Sequence, residues 1–372
     1  MSAARSPVIL TSFAYGTGPY LRTTEWALAV ADLLGQLGKS RNRIVVPLVY
    51  GNKQRLIMEE ALGTRMHDVI LDKAYGKLLA PLFYGQESYA TYLERWVESV
   101  DGQSKEIQKY LKNTYGDNIV LELHRSPRVS IGLAPSFALT FGWQSDILTQ
   151  AKDNPEIDIP EEVLNRAIPK FQSIEQSFKK CFLTDPGTFS FTGDVESCIQ
   201  NTEWVPPTIA QPSPSRQPIA LGIYVTVTGI PGLERLFTDA KKLGMTIYSN
   251  NPGALREAEK ALPDVIGNPA IKLHFARSGW SSVWLSLLTE TPFIAAPWDP
   301  KDDPEIYFNN QCIESLGIGT VYRGQSLEEL LKEGERQKTK MKTLRTDLMK
   351  KYGTLDGTVL SAKKVEECFS RS

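Results

Sequence analysis

The sequence predicts an α/β protein with two domains, each built around a parallel sheet. The stretch Ile271–Gly319 reads as a strand, a turn of small residues, a helix, a second strand and a further helix, which is the order of elements in a parallel α/β sheet. The chain begins in the same way, with a strand at Val8–Phe13, a glycine-containing loop and a helix from Thr23 to Leu37 that Thr23 or Thr24 can cap. Residues 205–215, VPPTIAQPSPS, read as a semi-stiff linker between the two halves.

Length and composition fit a globular protein, since 372 residues give each of two domains enough chain for its own core. With 41% hydrophobic residues, 23% charged residues and a formal net charge of −1, nothing favours nucleic acid as a partner. The four cysteines are scattered without a CxxC pair, which disfavours a zinc site or a disulfide framework and fits a reducing compartment. The opening residues read neither as a secretion signal nor as a membrane span, so the expected location is the cytoplasm.

Several further strands are expected in the first half, with helices between them, the longest from Glu87 to Tyr115. The segment Leu78–Trp96 is rich in aromatic and aliphatic side chains. These pack into the core of a long helix or, as the alternative, form a surface for an acceptor or a peripheral contact with a membrane. The expected strands are Ile44–Val49, Val69–Leu71, Ile119–Leu123 and Val129–Leu133.

The second half repeats the alternation of strands and helices. Strands are expected at Ile219–Val227 and Met245–Tyr248. Helices are expected at Leu233–Leu243 and, introduced by Asn250-Asn251-Pro252-Gly253, through Leu262. The charged region Ser326–Tyr352 reads as a helix with a solvated face.

The turn Arg277-Ser278-Gly279 carries the main chemical signal of the sequence. It opens a helix whose first residues include Ser281 and Ser282, and the free N–H groups and dipole of a helix start face an anion. Arginine and serine side chains add donors suited to phosphate oxygens. The loop after the second strand is acidic (Asp299, Asp302, Asp303, Glu305), but its Asp-Pro pairs are typical of turns, so no metal site is expected.

The loop Gly16-Thr17-Gly18 follows the first strand and precedes a helix, which places it at the carboxyl end of a sheet. Candidates for a general base near this loop are Tyr20, Glu25 and His124, the last at the end of the strand Ile119–Leu123. The other two histidines, His67 and His274, are expected in a surface loop and a buried strand.

These motifs resemble the GT-B glycosyltransferases. "RSG" followed by paired serines, a strand ending in proline, an aspartate, "EIYFNN" and "LGIG" is similar to the donor half of the inverting enzymes, above all the N-acetylglucosaminyltransferase that makes lipid II and the UDP-glycosyltransferases. The loop Gly16-Thr17-Gly18 and the helix segment Ala27-Leu28-Ala29-Val30-Ala31 are similar to that enzyme's first loop and helix.

The resemblance implies two Rossmann-like domains with parallel sheets facing a central cleft, and transfer of a sugar from a nucleotide-sugar, a UDP-sugar, with inversion and without a metal. The donor would be a co-substrate, and no cofactor is expected. The acceptor would be lipid-linked, a small molecule or a protein. Donor binding falls to Gly16, Thr17, Gly18, Thr228, Gly229, Arg277, Ser278, Gly279, Ser281, Ser282, Glu305 and Asn309, the last with an alternative role as a helix cap.

Three positions depart from the family. The glutamate that holds the ribose corresponds to Leu285, the glutamine pair that contacts the donor sugar corresponds to Glu305 and Ile306, and the histidine of the first loop corresponds to Tyr20. Nucleotide recognition is therefore different or absent. Two alternatives follow: a sugar-nucleotide epimerase or hydrolase on the same fold, or a binding or scaffold protein with a decayed donor site.

The expected domain organisation follows from the linker and the resemblance. Residues 1–204 form the acceptor-binding domain, 205–217 the linker and 218–350 the nucleotide-sugar-binding domain. Residues 351–372 form a terminal helix expected to pack back onto the first domain.

Overall fold

A computed structural model describes residues 6–36, 43–85, 87–190, 199, 201–209, 218–226, 233–251, 255 and 258–370. The chain divides into two compact units. Unit 1 comprises Met1–Asp185, Val195–Thr208 and Gly357–Ser372, and unit 2 comprises Pro186–Asp194 and Ile209–Asp356. The chain therefore passes between the two units more than once, whereas the single predicted linker implies one passage.

Within the described residues, unit 1 contains a seven-stranded parallel sheet in the order β3-β2-β1-β4-β5-β6-β7. Its strands are mostly apolar along their whole length because helices cover both faces of a parallel sheet. The strands are β1 Val8–Thr11, β2 Arg43–Pro47, β3 Val69–Asp72, β4 Ile119–His124, β5 Ser136–Thr140, β6 Lys180–Thr184 and β7 Thr202–Val205.

Two apolar clusters cover the faces of this sheet. Ile9 of β1 belongs to one cluster, whereas its neighbours Val8 and Leu10 belong to the other, as the alternation of side chains along a strand requires. The α-helices of unit 1 in the described residues are α1 Thr17–Gln36, α2 Gly51–Leu62, α3 Lys73–Leu79, α4 Tyr89–Tyr115, α5 Gln144–Lys152 and α6 Glu161–Gln176, together with the last helix of the chain, Gly357–Ser370, which packs against α1.

The first helix starts six residues earlier than the sequence predicted. Helix α1 begins at Thr17, so Thr23 and Thr24 are internal residues and not caps. Their hydroxyls donate to the carbonyls of Pro19 and Tyr20, each at 2.8 Å. Pro19 is accommodated because the N–H groups of a helix's first turn have no intrahelical partner. The glycine loop therefore leads directly into the helix N-terminus.

The predicted strand Val129–Leu133 is wrong, because these residues form a loop and the strand is β5. The loop is held by the buried carboxylate of Glu122, which accepts backbone N–H groups of Gly132 at 3.2 Å, Leu133 at 2.6 Å and Ala134 at 3.0 Å. The Glu122 side chain thus accepts backbone N–H groups that would otherwise donate to the carbonyls of a neighbouring strand.

The aromatic segment Leu78–Trp96 lies mainly in the core of unit 1. Tyr89, Tyr92 and Trp96 are buried, and the Trp96 ring stacks on Phe171 with centroids 3.9 Å apart. These side chains are therefore not available to a membrane surface. In the described part of the chain, no helix combines the length and apolarity needed to cross a membrane.

The start of the predicted linker is part of unit 1. Residues 205–208 are buried, the Pro207 carbonyl accepts the Gly357 N–H at 3.0 Å, and the Thr208 hydroxyl accepts from Arg125 at 3.0 Å. Ile209 belongs to unit 2, and the predicted linker residues 210–217 lie outside the described residues.

Unit 1 contains a buried carboxyl group, Glu175, whose protonation should make stability depend on pH. Its Oε1 accepts the Gln144 N–H at 2.7 Å at the start of α5, and the Ser145 hydroxyl contacts the other oxygen. Burial raises the pKa of this carboxyl to about 8. The folded-state pKa is higher than that of the unfolded chain. At a pH between the two pKa values, the carboxyl is therefore protonated in the folded state and ionised in the unfolded state. The free energy of unfolding consequently falls as pH rises through this range.

Glu175→Gln removes this titration and keeps the shape of the side chain. We expect wild type to lose up to about 1.4 kcal/mol of unfolding free energy per pH unit between pH 5 and 8 relative to the variant, measured by denaturant unfolding. Glu162→Gln, at an exposed position of the same helix, is the control and should follow wild type. Parallel pH profiles of wild type and Glu175→Gln would refute the prediction.

Unit 2 contains a six-stranded parallel sheet in the described residues, in the order β10-β9-β8-β11-β12-β13. The predicted helix that follows Gly253 and runs through Leu262 is wrong at its end, where Glu259–Lys260 pairs with β9 as a strand. The elements are β8 Gly222–Val225, α7 Leu233–Lys242, β9 Thr246–Ser249, β10 Glu259–Lys260, β11 Ile271–Ala276, α8 Trp280–Thr289, β12 Phe293–Ala295, α9 Pro304–Ser315, β13 Gly319–Val321 and α10 Leu327–Tyr352; the terminal helix Gly357–Ser370 of unit 1 is α11.

Candidate functional site

The predicted donor turn lies at the switch point of the sheet in unit 2. Chain order runs from β8 to β10 in one direction and from β11 to β13 in the other, so it reverses between β8 and β11. In open parallel sheets, ligands bind outside the carboxyl ends of the strands at such a reversal. Because β11 ends at Ala276, the turn Arg277-Ser278-Gly279 occupies this position.

The turn opens helix α8, and its geometry leaves the helix start accessible. Gly279 is the N-cap residue, and a Cβ added there would meet no atom within 4 Å. Ser281 and Ser282 lie half-buried in the first turn, and within the described residues their hydroxyls make no hydrogen bond. The Ser282 N–H donates to the Gly279 carbonyl at 2.9 Å, so the N–H groups that precede it, the two serine hydroxyls and the positive end of the helix dipole make up this helix start, a set of groups suited to phosphate oxygens.

Arg277 provides the cationic group of the turn, but an acidic residue already contacts it. Its guanidinium forms an ion pair with Asp302, which lies in the loop between β12 and α9. Asp303 of the same loop caps α9 by accepting the Glu305 N–H at 3.0 Å. Two of the acidic residues considered as metal ligands thus have structural partners. In the described residues, no group of three or more His, Cys, Asp or Glu is arranged to hold a metal ion.

Asn309 holds the turn Arg277-Ser278-Gly279 in place from α9. Its amide nitrogen donates to the Ser278 carbonyl at 3.0 Å and to Glu305 Oε1 at 3.1 Å, and its amide oxygen accepts the Trp280 Nε1–H at 2.8 Å. Asn309 and Ser278 are both fully buried, and the Ser278 hydroxyl donates to the Ile306 carbonyl at 3.3 Å. These residues position the turn, and the suggested role of Asn309 as a helix cap is wrong because Asp303 is the cap.

A segment far away in sequence also holds this turn. The Trp280 indole N–H is shared between Asn309 and the Thr188 hydroxyl, the latter at 3.2 Å, and the Trp284 indole N–H donates to the Pro186 carbonyl at 2.9 Å. The Cys312 thiol contacts the Gly187 carbonyl at 3.3 Å. Sequence reasoning missed this segment because nothing local in Pro186–Ser190 indicates a tryptophan partner.

A buried histidine orders the neighbouring strand end. His274 contacts the Ser286 hydroxyl through Nδ1 at 2.7 Å and the Thr226 hydroxyl through Nε2 at 3.2 Å, and burial lowers the pKa of this imidazole to about 3. The ring is therefore neutral at physiological pH and acts as a structural link between β8, β11 and α8, as expected from the sequence. The next candidates along the chain, Thr228 and Gly229, lie outside the described residues.

Leu285 is half-buried and packs against an apolar cluster. It lies against a group of buried side chains that includes Tyr224, Val265 and Ile266. A leucine side chain cannot accept hydrogen bonds from ribose hydroxyls, and its half-buried position contributes apolar packing instead.

The predicted first loop lies at the switch point of the other sheet. In unit 1 the chain order reverses between β1 and β4, and Gly16-Thr17-Gly18 follows β1. Gly16 has φ +85°, which favours glycine, and its N–H donates to the Tyr50 hydroxyl at 2.8 Å. Thr17 and Gly18 start α1, and a Cβ at Gly18 would meet nothing within 4 Å.

The three candidate bases of unit 1 differ in accessibility. Tyr20 is fully buried, and burial raises the pKa of its phenol well above the ordinary value. His124 is 1% exposed, packs on Phe178 and lies 3.4 Å from Glu122. The Glu25 side chain is 29% exposed and pairs with Arg22 at 2.7 Å. Of the three, only Glu25 can meet a ligand without rearrangement of the core.

A buried arginine and a group of rings lie at this end of the sheet. Sequence reasoning gave Arg125 no role, whereas Phe83 belongs to the segment Leu78–Trp96, for which an acceptor surface was the predicted alternative. Arg125 directly follows β4. Burial, and to a lesser extent the positive charge of the nearby Arg22, lowers the pKa of its guanidinium to about 10. Phe83 lies 5.8 Å from the Tyr50 ring and 5.6 Å from the Tyr15 ring, and Tyr50 is 37% exposed. The end of β1 is therefore lined by partly exposed aromatic surface.

Comparisons with known proteins identify the fold. No protein-family profile and no curated protein sequence matches the chain. Among solved structures, a UDP-glucose: anthocyanidin 3-O-glucosyltransferase in complex with UDP is similar at 11% identity and a TM-score of 0.65, with 99% of each chain covered. A UDP-glucosyltransferase from Polygonum tinctorium capable of glucosylating indoxyl is 13% identical with a TM-score of 0.64, covering 98% of this chain and 99% of that one.

The glycosyltransferase SnogD from Streptomyces nogalater is similar at 15% identity and a TM-score of 0.57, covering 97% of this chain and 99% of that one. At such identities the likeness establishes the fold. The two parallel sheets and the near-complete coverage confirm the predicted GT-B fold with two Rossmann-like domains, and the chain shares this fold with UDP-glycosyltransferases.

Proposed function

We propose that the protein is a glycosyltransferase that moves a sugar from a UDP-sugar to an acceptor, with inversion and without a metal ion. The observation that carries the proposal is the open N-terminus of α8 at the switch point of unit 2, with the hydroxyls of Ser281 and Ser282 beside it. The neighbours in fold include proteins named as UDP-glucose-dependent transferases, one of them in complex with UDP.

The donor diphosphate binds at this helix start. The leaving group gains negative charge as the sugar departs, and preorganised backbone N–H groups and hydroxyls stabilise that charge without reorganisation. Arg277 adds a guanidinium to the same place. Because Leu285 lies in an apolar cluster, the ribose hydroxyls need partners other than a carboxylate at that position.

The acceptor binds to unit 1 near the end of β1. The partly exposed rings of Tyr50 and Phe83 favour an acceptor with a flat, apolar face, since rings of this kind stack at little entropic cost. Glu25 is the general base that takes the proton from the acceptor hydroxyl, because Tyr20 and His124 are enclosed by the core.

The reaction is tested by following UDP release from UDP-glucose with and without a phenolic acceptor. We expect release only when the acceptor is present, together with a glycosylated product of inverted configuration. Equal release without acceptor would indicate a hydrolase and contradict the transferase proposal.

A second candidate function is a binding protein that keeps the fold without catalysis. The apolar surroundings of Leu285 favour it, since a family contact to the nucleotide is missing there. Binding of UDP without any turnover of UDP-sugars, under conditions where the folded state is verified, would support this second candidate.

A further inference from the structure

Asp302 holds the guanidinium of the donor turn and is itself firmly fixed. One carboxylate oxygen pairs with Arg277, and the other accepts the Asp303 N–H at 3.0 Å. The Asp302 N–H donates to the Asp299 carbonyl at 2.8 Å. The Asp302 side chain is 18% exposed, whereas that of Arg277 is 48% exposed. About half of the arginine thus remains accessible to a ligand while the carboxylate stays beside it.

This pairing has two opposing effects on an anion that reaches Arg277. The carboxylate orients the guanidinium, and an ion pair of this exposure contributes about two- to fivefold in an equilibrium. The carboxylate also repels the anion. When both contact the same guanidinium, their negative charges lie roughly 6 Å apart. At an effective dielectric constant near 40, repulsion at this distance weakens anion binding about tenfold per unit charge. Repulsion is the larger effect, so Asp302 weakens the binding of anions to Arg277.

The repulsion differs between the donor and the product of sugar transfer. In the reaction the bond from the anomeric carbon to the phosphate oxygen breaks, that oxygen keeps the electron pair, a new bond forms to the acceptor oxygen, and the acceptor proton goes to the base. The terminal phosphate is then a monoester whose second ionisation has a pKa near 6, so at neutral pH the released diphosphate carries about one more negative charge than the donor.

We infer that Asp302 makes the site at Arg277 prefer ligands with less negative charge. The nucleoside diphosphate, which carries more negative charge than the nucleotide-sugar, is thereby released more readily than the nucleotide-sugar. The first part concerns the donor turn alone, and the second rests on the proposed function. Asp302 is a specificity-determining residue in this account: it makes the turn nearly neutral, so that helix N–H groups and hydroxyls carry most of the donor affinity.

The inference is tested by titration calorimetry of wild type and Asp302→Asn with UDP, UDP-glucose and inorganic pyrophosphate. Asparagine keeps an oxygen for the Asp303 N–H and removes the charge. We expect affinity for UDP to rise about tenfold or more, with a smaller rise for UDP-glucose, so that the preference for UDP over UDP-glucose increases severalfold. In Arg277→Ala/Asp302→Asn most of this gain should disappear.

Asp299→Asn is the matched control, since it removes the same charge from the same loop. The Asp299 carboxylate accepts the Lys301 N–H at 2.9 Å, and the ion pair recorded for Arg277 in the described residues is with Asp302. Screening by solvent and salt limits its expected effect to about twofold. Circular dichroism and melting curves verify that each variant is folded.

The outcomes separate this inference from the proposed function. A gain for pyrophosphate alone, without binding of UDP or UDP-glucose to either protein, supports charge control by Asp302 and contradicts the UDP-sugar proposal. Normal UDP-glucose binding by wild type with unchanged or weaker binding of every probe by Asp302→Asn overturns the inference and leaves the proposed function standing. No gain for any probe also overturns it.

Discussion

Glu25→Gln should lower kcat for sugar transfer by about 10²- to 10⁴-fold, because a positioned general base contributes that much to proton transfer. Glutamine has the same shape but cannot take the acceptor proton. The loss of the ion pair with Arg22 costs at most about 1 kcal/mol of stability, since both side chains are partly exposed. The variant should therefore fold normally and bind UDP-glucose with unchanged affinity, and steady-state kinetics with saturating acceptor measures the difference.

Asp32→Asn is the matched control for this variant. Asp32 lies on the same helix and pairs with Arg65 at 2.9 Å, so its replacement also removes a carboxylate from a partly exposed ion pair. We expect less than a threefold change in kcat. Equal activities of Glu25→Gln and wild type would exclude Glu25 as the base.

Gly76→Ala should lower the free energy of unfolding of unit 1 by about 3 kcal/mol. A Cβ at Gly76 would lie 2.2 Å from the Leu48 carbonyl oxygen and 2.9 Å from the Leu48 nitrogen. These are backbone atoms that follow β2, so helix α3 and the sheet must move apart to admit the methyl group. Denaturant unfolding followed by circular dichroism measures the change.

Gly102→Ala makes the same chemical change without the contact. Gly102 is exposed in the middle of α4, and a Cβ there would meet no atom within 4 Å. Alanine is favoured over glycine inside a helix, so this variant should gain about 0.5 to 1 kcal/mol. If both variants lose stability equally, close packing is not the reason for glycine at position 76.

Local sequence patterns were sufficient where strands are apolar and their turns are short. Strand β11 begins and ends as predicted because the apolar run Ile271–Ala276 is bounded by a turn of small residues. The same run fixed the position of Arg277-Ser278-Gly279, so this turn could be placed at the end of β11 from sequence alone. Whether its members bind a donor remains a prediction.

The errors arise where a distant group decides the local structure. Residues Val129–Leu133 are apolar enough for a strand, but Glu122 accepts the N–H groups of Gly132 and Leu133 and holds this end of the segment as a loop. Thr23 and Thr24 look like helix caps, yet α1 already starts at Thr17. Such outcomes depend on tertiary contacts, which propensities and periodicity do not contain.

The same reason limits prediction of the site. Asn309 was chosen as a ligand-binding residue, whereas its amide contacts Ser278, Glu305 and Trp280. The ion pair between Arg277 and Asp302 joins residues that are 25 positions apart and follow different strands. Neither arrangement has a sequence signature, because these side chains come from different segments that meet only when the sheet is formed.

The central claim is that the start of α8 binds the diphosphate of a nucleotide-sugar. It is tested most directly by thermal shift with UDP-, GDP-, ADP- and dTDP-glucose on wild type, on Ser281→Ala/Ser282→Ala and on Thr289→Ala, which removes a hydroxyl at the other end of the same helix. A ligand at about 100 times its Kd adds about 2.7 kcal/mol of stability. The account predicts a clear rise in Tm with UDP-glucose for wild type and Thr289→Ala, much reduced in the double serine variant. No rise with any of the four sugars would contradict it.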